Sequence, residues 1–211
     1  FNMIAVIDYG AGNIHSVARA LTKVGATFEI TERPEKIAEA EAIILPGVGA
    51  AADTMRGLRD SRVDDPVVTA IARGTPYLGI CMGLQILFEK SEEDGGTPCL
   101  GILPGTVARF PNDLDVPHMG WNQVHQQTPS PLLHGVTQDA NFYFVHSYFA
   151  SPAIDTQIIT TTDYGVPFTS AVQRDNLFAT QFHPEKSGDI GLRIYANFVR
   201  IVGQQALPSL S

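Results

Sequence analysis

The chain has 211 residues, of which 44% are hydrophobic and 17% charged, so it is long enough for one domain with a sizeable core. A formal net charge of −8 and the lack of a basic stretch argue against binding to nucleic acid, whose phosphates attract cationic surfaces. Two cysteines make no disulfide framework, and the sequence has neither a secretory signal nor a run of about 18 apolar residues. We therefore expect a cytoplasmic protein that does not enter a membrane.

A single domain is expected to cover residues 3–203. Phe1 and Asn2 precede the first methionine and are expected to be a remnant of cloning, and residues 204–211 a C-terminal tail.

The N-terminal two-fifths alternates predicted strands with predicted helices. Strands are predicted over residues 3–7, 27–31 and 42–45. A helix after the first strand has one apolar face and ends at Gly25; this face consists of Ile14, Val17, Ala18, Leu21 and Val24.

A second helix is predicted over residues 65–73, with Asp65 as its cap and Pro66 at its first position. This alternation predicts an α/β fold: an open, mostly parallel sheet with helices on both faces. Loops at the carboxyl ends of parallel strands gather at one edge of a sheet. The loops after Ile7, Leu45 and Ile80 should therefore converge there.

Cys81 lies between a predicted buried strand, residues 76–80, and a predicted helix, residues 82–88. Gly79 and Gly83 flank it at two residues on either side. This pattern is typical of a sharp turn that displays a nucleophile above a sheet, where a Cβ atom at either glycine would not fit.

The start of a helix would also change the chemistry of the sulfur. Free N–H groups there stabilise a thiolate, and the N–H of Met82 would face an oxyanion formed when Cys81 attacks a carbonyl. The alternative, that Cys81 is a small buried hydrophobe, carries about equal weight. A base elsewhere in the chain that could accept the thiol proton would favour the nucleophile over the buried hydrophobe.

The second half is predicted to add antiparallel strands to the sheet. The hydrophobic periodicity fades over residues 91–122, and residues 92–96 are expected to form a solvated loop. A hairpin turn is predicted at Asp175 and Asn176. The predicted strands cover residues 105–110, 142–149, 157–162, 171–174 and 178–182, and the final helix has Ile190, Ile194, Phe198 and Ile201 on one stripe.

A candidate base follows the last predicted strand. Pro184 favours an extended conformation for His183, and residues two apart in an extended chain project to the same side, so Glu185 can face the imidazole. A carboxylate on one ring nitrogen leaves the other free to take a proton from a thiol. The alternative is a polar turn in which Glu185 caps the final helix.

Together these motifs resemble those of class I (triad) glutamine amidotransferases, which are α/β proteins of flavodoxin-like architecture. Further motifs over nearly the whole chain are similar to the glutaminase subunits of imidazole glycerol phosphate synthase, an enzyme of histidine biosynthesis. These motifs are Asp8-Tyr9-Gly10-Ala11-Gly12-Asn13, Pro46-Gly47-Val48-Gly49, Pro117-His118-Met119-Gly120-Trp121-Asn122, His146-Ser147-Tyr148 and His183-Pro184-Glu185-Lys186-Ser187.

The resemblance implies that Cys81 attacks the amide of L-glutamine, that His183 moves the proton and that Glu185 orients the imidazole. It implies oxyanion donors in the backbone N–H groups of Val48 and Met82; because Gly47 and Gly49 flank Val48, we expect the partner to set the orientation of this loop. The implied substrate-binding residues are Gly47, Gly49, Gln85, His146, Ser147 and Tyr148. For the His146 side chain, a role as a hydrogen-bonded core histidine carries slightly more weight, and for Gln85 a role as an ordinary helix residue carries equal weight.

The implied partner is a (β/α)8-barrel cyclase subunit that uses the ammonia, in a heterodimer; neither a cofactor nor a metal is implied. The implied interface residues are Asn13, Trp121, Tyr143 and Lys186. The alternatives are a core position for Trp121 and a solvated charge for Lys186.

Three other functions remain open. The pattern Gly-x-Gly-x-x-Ala over residues 47–52 follows a strand and is a weak signal for a nucleotide-binding regulatory module. The chain could also be a standalone cysteine hydrolase or the glutaminase subunit of another amidotransferase.

Overall fold

The computed structural model of the protein describes residues 3–10 and 13–205. The expected cloning remnant lies outside the described residues, as does the expected tail except for its first two residues, which continue the last helix. The helices are α1 (Ile14–Lys23), α2 (Pro34–Glu39), α3 (Ala51–Asp60), α4 (Asp64–Ala72), α5 (Met82–Gln85) and α6 (Gly188–Gln205). The strands are β1 (Ile4–Ile7), β2 (Phe28–Thr31), β3 (Ala42–Gly47), β4 (Tyr77–Cys81), β5 (Lys90–Ser91), β6 (Thr97–Pro98), β7 (Gly105–Arg109), β8 (His118–Gln126), β9 (Ala140–His146), β10 (Tyr148–Pro152), β11 (Ile158–Asp163), β12 (Pro167–Arg174) and β13 (Leu177–Thr180).

The parallel half of the sheet has the strand order β2-β1-β3-β4-β13. The sheet continues through β12, β10 and β7, which pair antiparallel, and a branch carries β11, β8 and β9. The predicted α/β architecture, with a parallel sheet and extra antiparallel strands, is confirmed.

Helices cover both faces of the parallel half. Because side chains alternate along a strand, Ile4 and Val6 of β1 pack with α1 and α6 on one face. Ala5 and Ile7 pack with α2, α3 and α4 on the other face. No helix in the described part of the chain is both long and apolar enough to cross a membrane.

The register of β13 determines where the functional residues lie. Thr180 is paired with Ile80, so the residues that follow β13 lie beside those that follow β4. On the other side of β4, Gly47 is paired with Cys81. The loops after β3, β4 and β13 therefore meet at one edge of the sheet.

Several predicted elements differ from the observed ones. The predictions missed α2 and α3, and α4 begins at Asp64, so that Pro66 is its third residue and not its first. The helix predicted to run to Phe88 ends at Gln85, because the carbonyl groups of residues 86–88 accept hydrogen bonds from the backbone of residues 100–103.

The strand predicted over residues 142–149 is interrupted at Ser147. Before the interruption β9 pairs with β8, and after it β10 pairs with β7 and β12, so the chain changes partners at this residue. The segment without clear periodicity contains the start of β8, a nine-residue strand. The predicted hairpin turn at Asp175 and Asn176 is confirmed between β12 and β13.

Candidate active site

Cys81 is the last residue of β4 and directly precedes α5. Its φ of 54° lies in the left-handed region that residues other than glycine seldom adopt, and such strain typically costs about 1–3 kcal/mol. A Cβ atom at Gly79 would collide with the carbonyl of Gly83, and one at Gly83 would collide with the carbonyl of Leu45. The predicted sharp turn is therefore present, and both glycines are required by close backbone contacts.

His183 and Glu185 form a buried pair after β13. Nδ1 of His183 lies 2.7 Å from Oε1 of Glu185, and the side chains are only 1% and 2% exposed. Residues Pro184–Lys186 form a 3₁₀ turn, so this turn brings the carboxylate back to the ring; the predicted extended alternation does not. The turn is fixed by Ser187, whose hydroxyl donates to the His183 carbonyl at 2.7 Å.

Within the described residues, Nε2 of His183 has no hydrogen-bond partner although it is buried. Burial lowers the pKa of His183, but the negative charge on Cys81 and the charge and hydrogen bond of the Glu185 carboxylate outweigh it and raise this pKa to about 10. Cys81 and Glu185 thus keep the imidazole in its protonated form at neutral pH.

Cys81 opens onto a cavity of about 210 Å³. The cavity contains most of the predicted oxyanion and substrate residues and is lined by Val48, Gly49, Cys81, Met82, Gln85, Glu93, Pro117, Val145, His146, Ser147 and Tyr148. Gly47 does not line it. A Cβ atom at Gly47 would instead collide with the Tyr9 hydroxyl and with Cβ of Met82, so Gly47 allows β3 to pack closely beneath the cavity.

Gln85 is almost fully buried and bridges two elements. Its Nε2 donates to the carbonyl of Tyr148 at 2.8 Å and to Oε1 of Gln181 at 3.1 Å. Its Oε1 has no partner in the described structure and remains as an acceptor. Gln85 is therefore not an ordinary helix-surface residue.

The side chain of His146 is a hydrogen-bonded core histidine, as the sequence slightly favoured. Its Nδ1 donates to the Tyr148 carbonyl at 2.8 Å, and its Nε2 lies 3.0 Å from Nδ1 of His118. Both ring nitrogens therefore already have partners inside the protein, which leaves none for a substrate.

Glu93 was missed, because residues 92–96 were expected to be a solvated loop. Most of that loop is exposed, but the half-buried Glu93 carboxylate accepts a hydrogen bond from the N–H of Ala51 at 2.7 Å and lines the cavity. Burial raises the pKa of this carboxyl, and the Ala51 N–H partly opposes that change. The sequence shows a run of three acidic residues but does not indicate which of them turns inward.

Three predicted interface residues form one surface patch. Trp121 is 58% exposed, which excludes a core position, and its ring lies 6.3 Å from that of Tyr143. Nζ of Lys186 lies 5.6 Å from the centre of the Tyr143 ring, so Lys186 is not simply a solvated charge. Met119, 62% exposed, is on the same strand as Trp121. The fourth residue, Asn13, precedes α1, which packs against the turn that carries Lys186.

The chain matches known proteins over nearly its full length. The model of the family "Glutamine amidotransferase class-I" matches residues 5–202. The chain is 52% identical to "Imidazole glycerol phosphate synthase subunit HisH" of Dehalococcoides mccartyi (strain CBDB1), over 94% of this chain and 97% of that protein. It is 51% identical to the protein of the same name from Acinetobacter baylyi, over 93% and 97% of the two chains.

Solved structures of low sequence identity share the fold. The structure of PurLQS from Thermotoga maritima superposes with a TM-score of 0.76 at 19% identity, over 94% of this chain and 98% of that chain. The glutaminase domain of Trypanosoma brucei CTPS superposes with a TM-score of 0.68 at 16% identity, over 97% and 94%. From these matches, the chain belongs to the class-I glutamine amidotransferase family and, within it, to the HisH subunits of imidazole glycerol phosphate synthase.

Proposed function

We propose that this chain hydrolyses L-glutamine to glutamate and ammonia at Cys81 and delivers the ammonia to a cyclase subunit. The observation that carries the proposal is the buried His183–Glu185 pair, with Nε2 of His183 unpartnered and strongly coupled in charge to Cys81. An imidazolium beside a thiolate is a ready acid–nucleophile pair.

In the first half-reaction, the Cys81 thiolate attacks the side-chain amide carbon of glutamine, and the carbonyl electron pair moves onto oxygen. When the tetrahedral intermediate collapses, the C–N bond breaks and His183 delivers its Nε2 proton to the departing nitrogen, which leaves as ammonia. The product is a glutamyl thioester on Cys81, and His183 is then neutral.

In the second half-reaction, neutral His183 accepts a proton from water at Nε2 while the water oxygen attacks the thioester carbon. The C–S bond breaks, the new γ-carboxyl group loses its remaining proton to solvent, glutamate leaves and the thiolate–imidazolium pair is restored. Glu185, bonded to Nδ1 throughout, keeps the ring in one orientation and stabilises its charged form.

The oxyanion formed in both steps would be bound by the backbone N–H groups of Val48 and Met82, two residues that line the same cavity as Cys81. Loss of one such donor typically raises the barrier by about 3–4 kcal/mol. The Val48 N–H belongs to the Gly47–Val48 peptide, and glycines on both sides of Val48 leave this loop few steric constraints, so the orientation of this peptide would be a gate that the partner sets.

Two polar groups on the cavity wall suit the amino-acid end of glutamine. Glu93 is the only acidic residue that lines the cavity in the described structure, and it would pair with the substrate's α-ammonium group. The free Oε1 of Gln85 would accept a further hydrogen bond from the substrate. His146, Ser147 and Tyr148 also line the cavity and would contact the substrate.

The partner would be a (β/α)8-barrel cyclase subunit in a heterodimer. The relatives named above are subunits of a synthase, which supports a second subunit. The exposed Met119 and Trp121, with Tyr143 and Lys186, provide an apolar patch with a cation at its edge, which suits a protein interface.

The test is Cys81→Ala in the reconstituted pair. We expect glutamine-driven formation of imidazole glycerol phosphate to be lost while ammonia-driven formation continues. Cys99→Ala is the matched control and should support both reactions. Strong wild-type glutaminase activity that does not respond to the cyclase or its ribotide ligand would contradict the assignment of the partner.

A nucleotide-binding module is disfavoured by Glu93. Its carboxylate occupies the N-terminus of α3 by accepting the hydrogen bond of Ala51, which is where a phosphate would bind after the Gly-x-Gly-x-x-Ala segment. A negative charge there would repel a phosphate.

A further inference from the structure

A continuous chain of hydrogen bonds connects β8 with the sulfur of Cys81. It leads from Asn122 to His118, to His146, to the carbonyl of Tyr148, and then through two glutamine amides to Cys81. The donor–acceptor distances along it are 3.2 Å (Asn122 to His118), 3.0 Å (His118 to His146), 2.8 Å (His146 to Tyr148), 2.8 Å (Gln85 to Tyr148), 3.1 Å (Gln85 to Gln181) and 3.5 Å (Gln181 to Cys81).

At the surface end of this series of hydrogen bonds, the donor and the acceptor are fixed by further partners. Nδ2 of Asn122 donates to the carbonyl of Asp163 at 2.8 Å, and Oδ1 of Asn122 accepts from the N–H of Gln123 at 2.8 Å. These partners determine which way the amide faces. Nε2 of His118 must therefore be an acceptor, and Nδ1 of His118 carries the hydrogen that points at His146.

The inner end gives the same polarity independently. The Tyr148 carbonyl can only accept, so Nδ1 of His146 must carry the hydrogen and Nε2 of His146 must accept. That is the atom at which Nδ1 of His118 points. Both imidazoles are thus neutral and in a single tautomer.

Burial keeps them neutral. It lowers the pKa of His118 to about 4 and that of His146 to about 3, although the Tyr148 carbonyl partly opposes the change at His146. Rings of Phe144 and Tyr164 stack against His118, with centres at 4.9 Å and 4.2 Å, and hold it in place. The pair therefore does not gain a proton at neutral pH.

We propose that His118 and Asn122 are positioning residues for catalysis, an inference that rests on the proposed function. They hold the ring of His146, which donates to the Tyr148 carbonyl. This carbonyl also accepts a hydrogen bond from the Gln85 amide, and Gln85 in turn orients Gln181 so that its Nε2–H points at the sulfur. Neither His118 nor Asn122 lines the cavity, so both act through other residues.

Asn122→Asp tests the polarity with almost no change in shape. The substituted carboxylate cannot donate to Nε2 of His118, so His118 must move its hydrogen to Nε2 or gain a proton. Moving the hydrogen leaves two acceptor nitrogens facing each other, at His118 and His146. Asn112→Asp, which makes the same charge change in an exposed loop, is the matched control.

Two measurements are made: kcat and KM for glutamine in the complex with the cyclase subunit, and the pH profile of iodoacetamide alkylation at Cys81, followed by peptide mass spectrometry. We expect Asn122→Asp to lower kcat, expressed per Cys81 that iodoacetamide alkylates, by about 10-fold or more. Displacement of a reacting group by about 1 Å can lower the rate about 100-fold. KM should change less than kcat, and the alkylation profile should shift. Asn112→Asp should match the wild type in both measurements.

A second pair of variants keeps the test decisive if Asn122→Asp folds poorly. His118→Phe fits the aromatic stack but cannot make the hydrogen bonds to Asn122 and His146. His118→Asn retains a hydrogen-bond donor near the position of Nδ1. We expect His118→Asn to recover at least about 3-fold in kcat over His118→Phe, which a purely structural role would not produce.

Equal kcat and equal alkylation profiles for Asn122→Asp and Asn112→Asp would overturn the inference, as would equal kcat for His118→Asn and His118→Phe. Failure of the proposed function is distinguishable, because the wild-type complex would then release no glutamate. The alkylation profile of Cys81 would still report on the hydrogen-bond chain.

Discussion

Nε2 of Gln181 donates to Sγ of Cys81 at 3.5 Å, although the two residues are a hundred positions apart in the chain. They meet because Thr180 and Ile80 are paired in the parallel register of β13 and β4, and Gln181 and Cys81 are the residues that directly follow this pair. The same register brings His183, two residues further on, to the nucleophile. The active site is therefore a consequence of strand order: the last strand is inserted beside the strand that ends at Cys81.

The charge of Cys81 should control the protonation of His183. Cys81→Ala removes the charge that opposes the effect of burial, so the pKa of His183 should fall well below about 10. NMR titration of the His183 ring measures this directly. Cys99→Ala should leave the pKa near 10, and an unchanged value in Cys81→Ala would contradict the coupling.

The same coupling predicts the pH dependence of stability. The folded-state pKa of His183 is above its ordinary value of 6.5, so the stabilisation from its charged form is fully present below about pH 6.5. It is lost as the pH rises through about 10. Urea unfolding at pH 7 and pH 10.5 should therefore show a larger loss of stability in the wild type than in Cys81→Ala.

Glu185 should matter for turnover more than for binding. Glu185→Gln keeps the size of the side chain but replaces a charged acceptor by a neutral amide, which no longer stabilises the imidazolium. We expect kcat to fall by about 1,000-fold or more with a small change in KM, as for the analogous change in a serine protease triad. Steady-state glutaminase kinetics of the complex test this, and Glu41→Gln, an exposed change of the same kind, should have no effect.

Gly83 should be intolerant of any side chain. In Gly83→Ala the added methyl group meets the carbonyl of Leu45, which belongs to the buried strand β3 and cannot move away cheaply. We expect the free energy of unfolding to fall by about 2 kcal/mol or more. Gly203→Ala in α6, where a Cβ has open space, should instead leave stability unchanged or raise it by about 0.5–1 kcal/mol.

Sequence could locate the catalytic residues because local chemistry determines them. Gly79 and Gly83 encode the turn at Cys81, and Pro184 limits the conformations of His183. What the sequence could not provide was the contact between these segments, which depends on the register of β4 and β13. The 3₁₀ turn that brings Glu185 to His183 was also not visible in the sequence pattern.

Two further misses have physical reasons. β8 has an inverted pattern, with His118 and Asn122 facing inward while Met119 and Trp121 are exposed, so the usual strand periodicity is hidden. Glu93 occupies a loop whose composition predicts solvent exposure, and only tertiary contacts turn its carboxylate toward the cavity.

Trp121 should contribute to partner binding and not to folding. Because the indole is largely exposed, Trp121→Ala should leave the unfolding midpoint nearly unchanged. We expect the Kd for the cyclase subunit to rise about 30-fold, which corresponds to about 2 kcal/mol. Isothermal titration calorimetry measures this, with Ile154→Ala as a control at another exposed apolar residue. Equal affinities for the two variants would place the interface elsewhere.

Glu93 should determine the affinity for glutamine. Glu93→Gln retains an oxygen that can accept from the Ala51 N–H but loses the charge that would pair with the α-ammonium group. We expect KM to rise about 10-fold or more, equivalent to about 1.4 kcal/mol, with kcat changed much less.

The raised pKa of the Glu93 carboxyl adds a pH signature to this prediction. Because that carboxyl takes up a proton at a higher pH than an ordinary glutamate, the wild-type KM should begin to rise as the pH falls toward this pKa. The KM of Glu93→Gln should not follow that rise, since its amide does not titrate. Glu92→Gln, whose side chain is on the exposed side of the same loop, is the matched control and should retain the wild-type profile. If Glu93→Gln and Glu92→Gln gave the same pH profile of KM, the charged contact to the substrate would have to come from another residue.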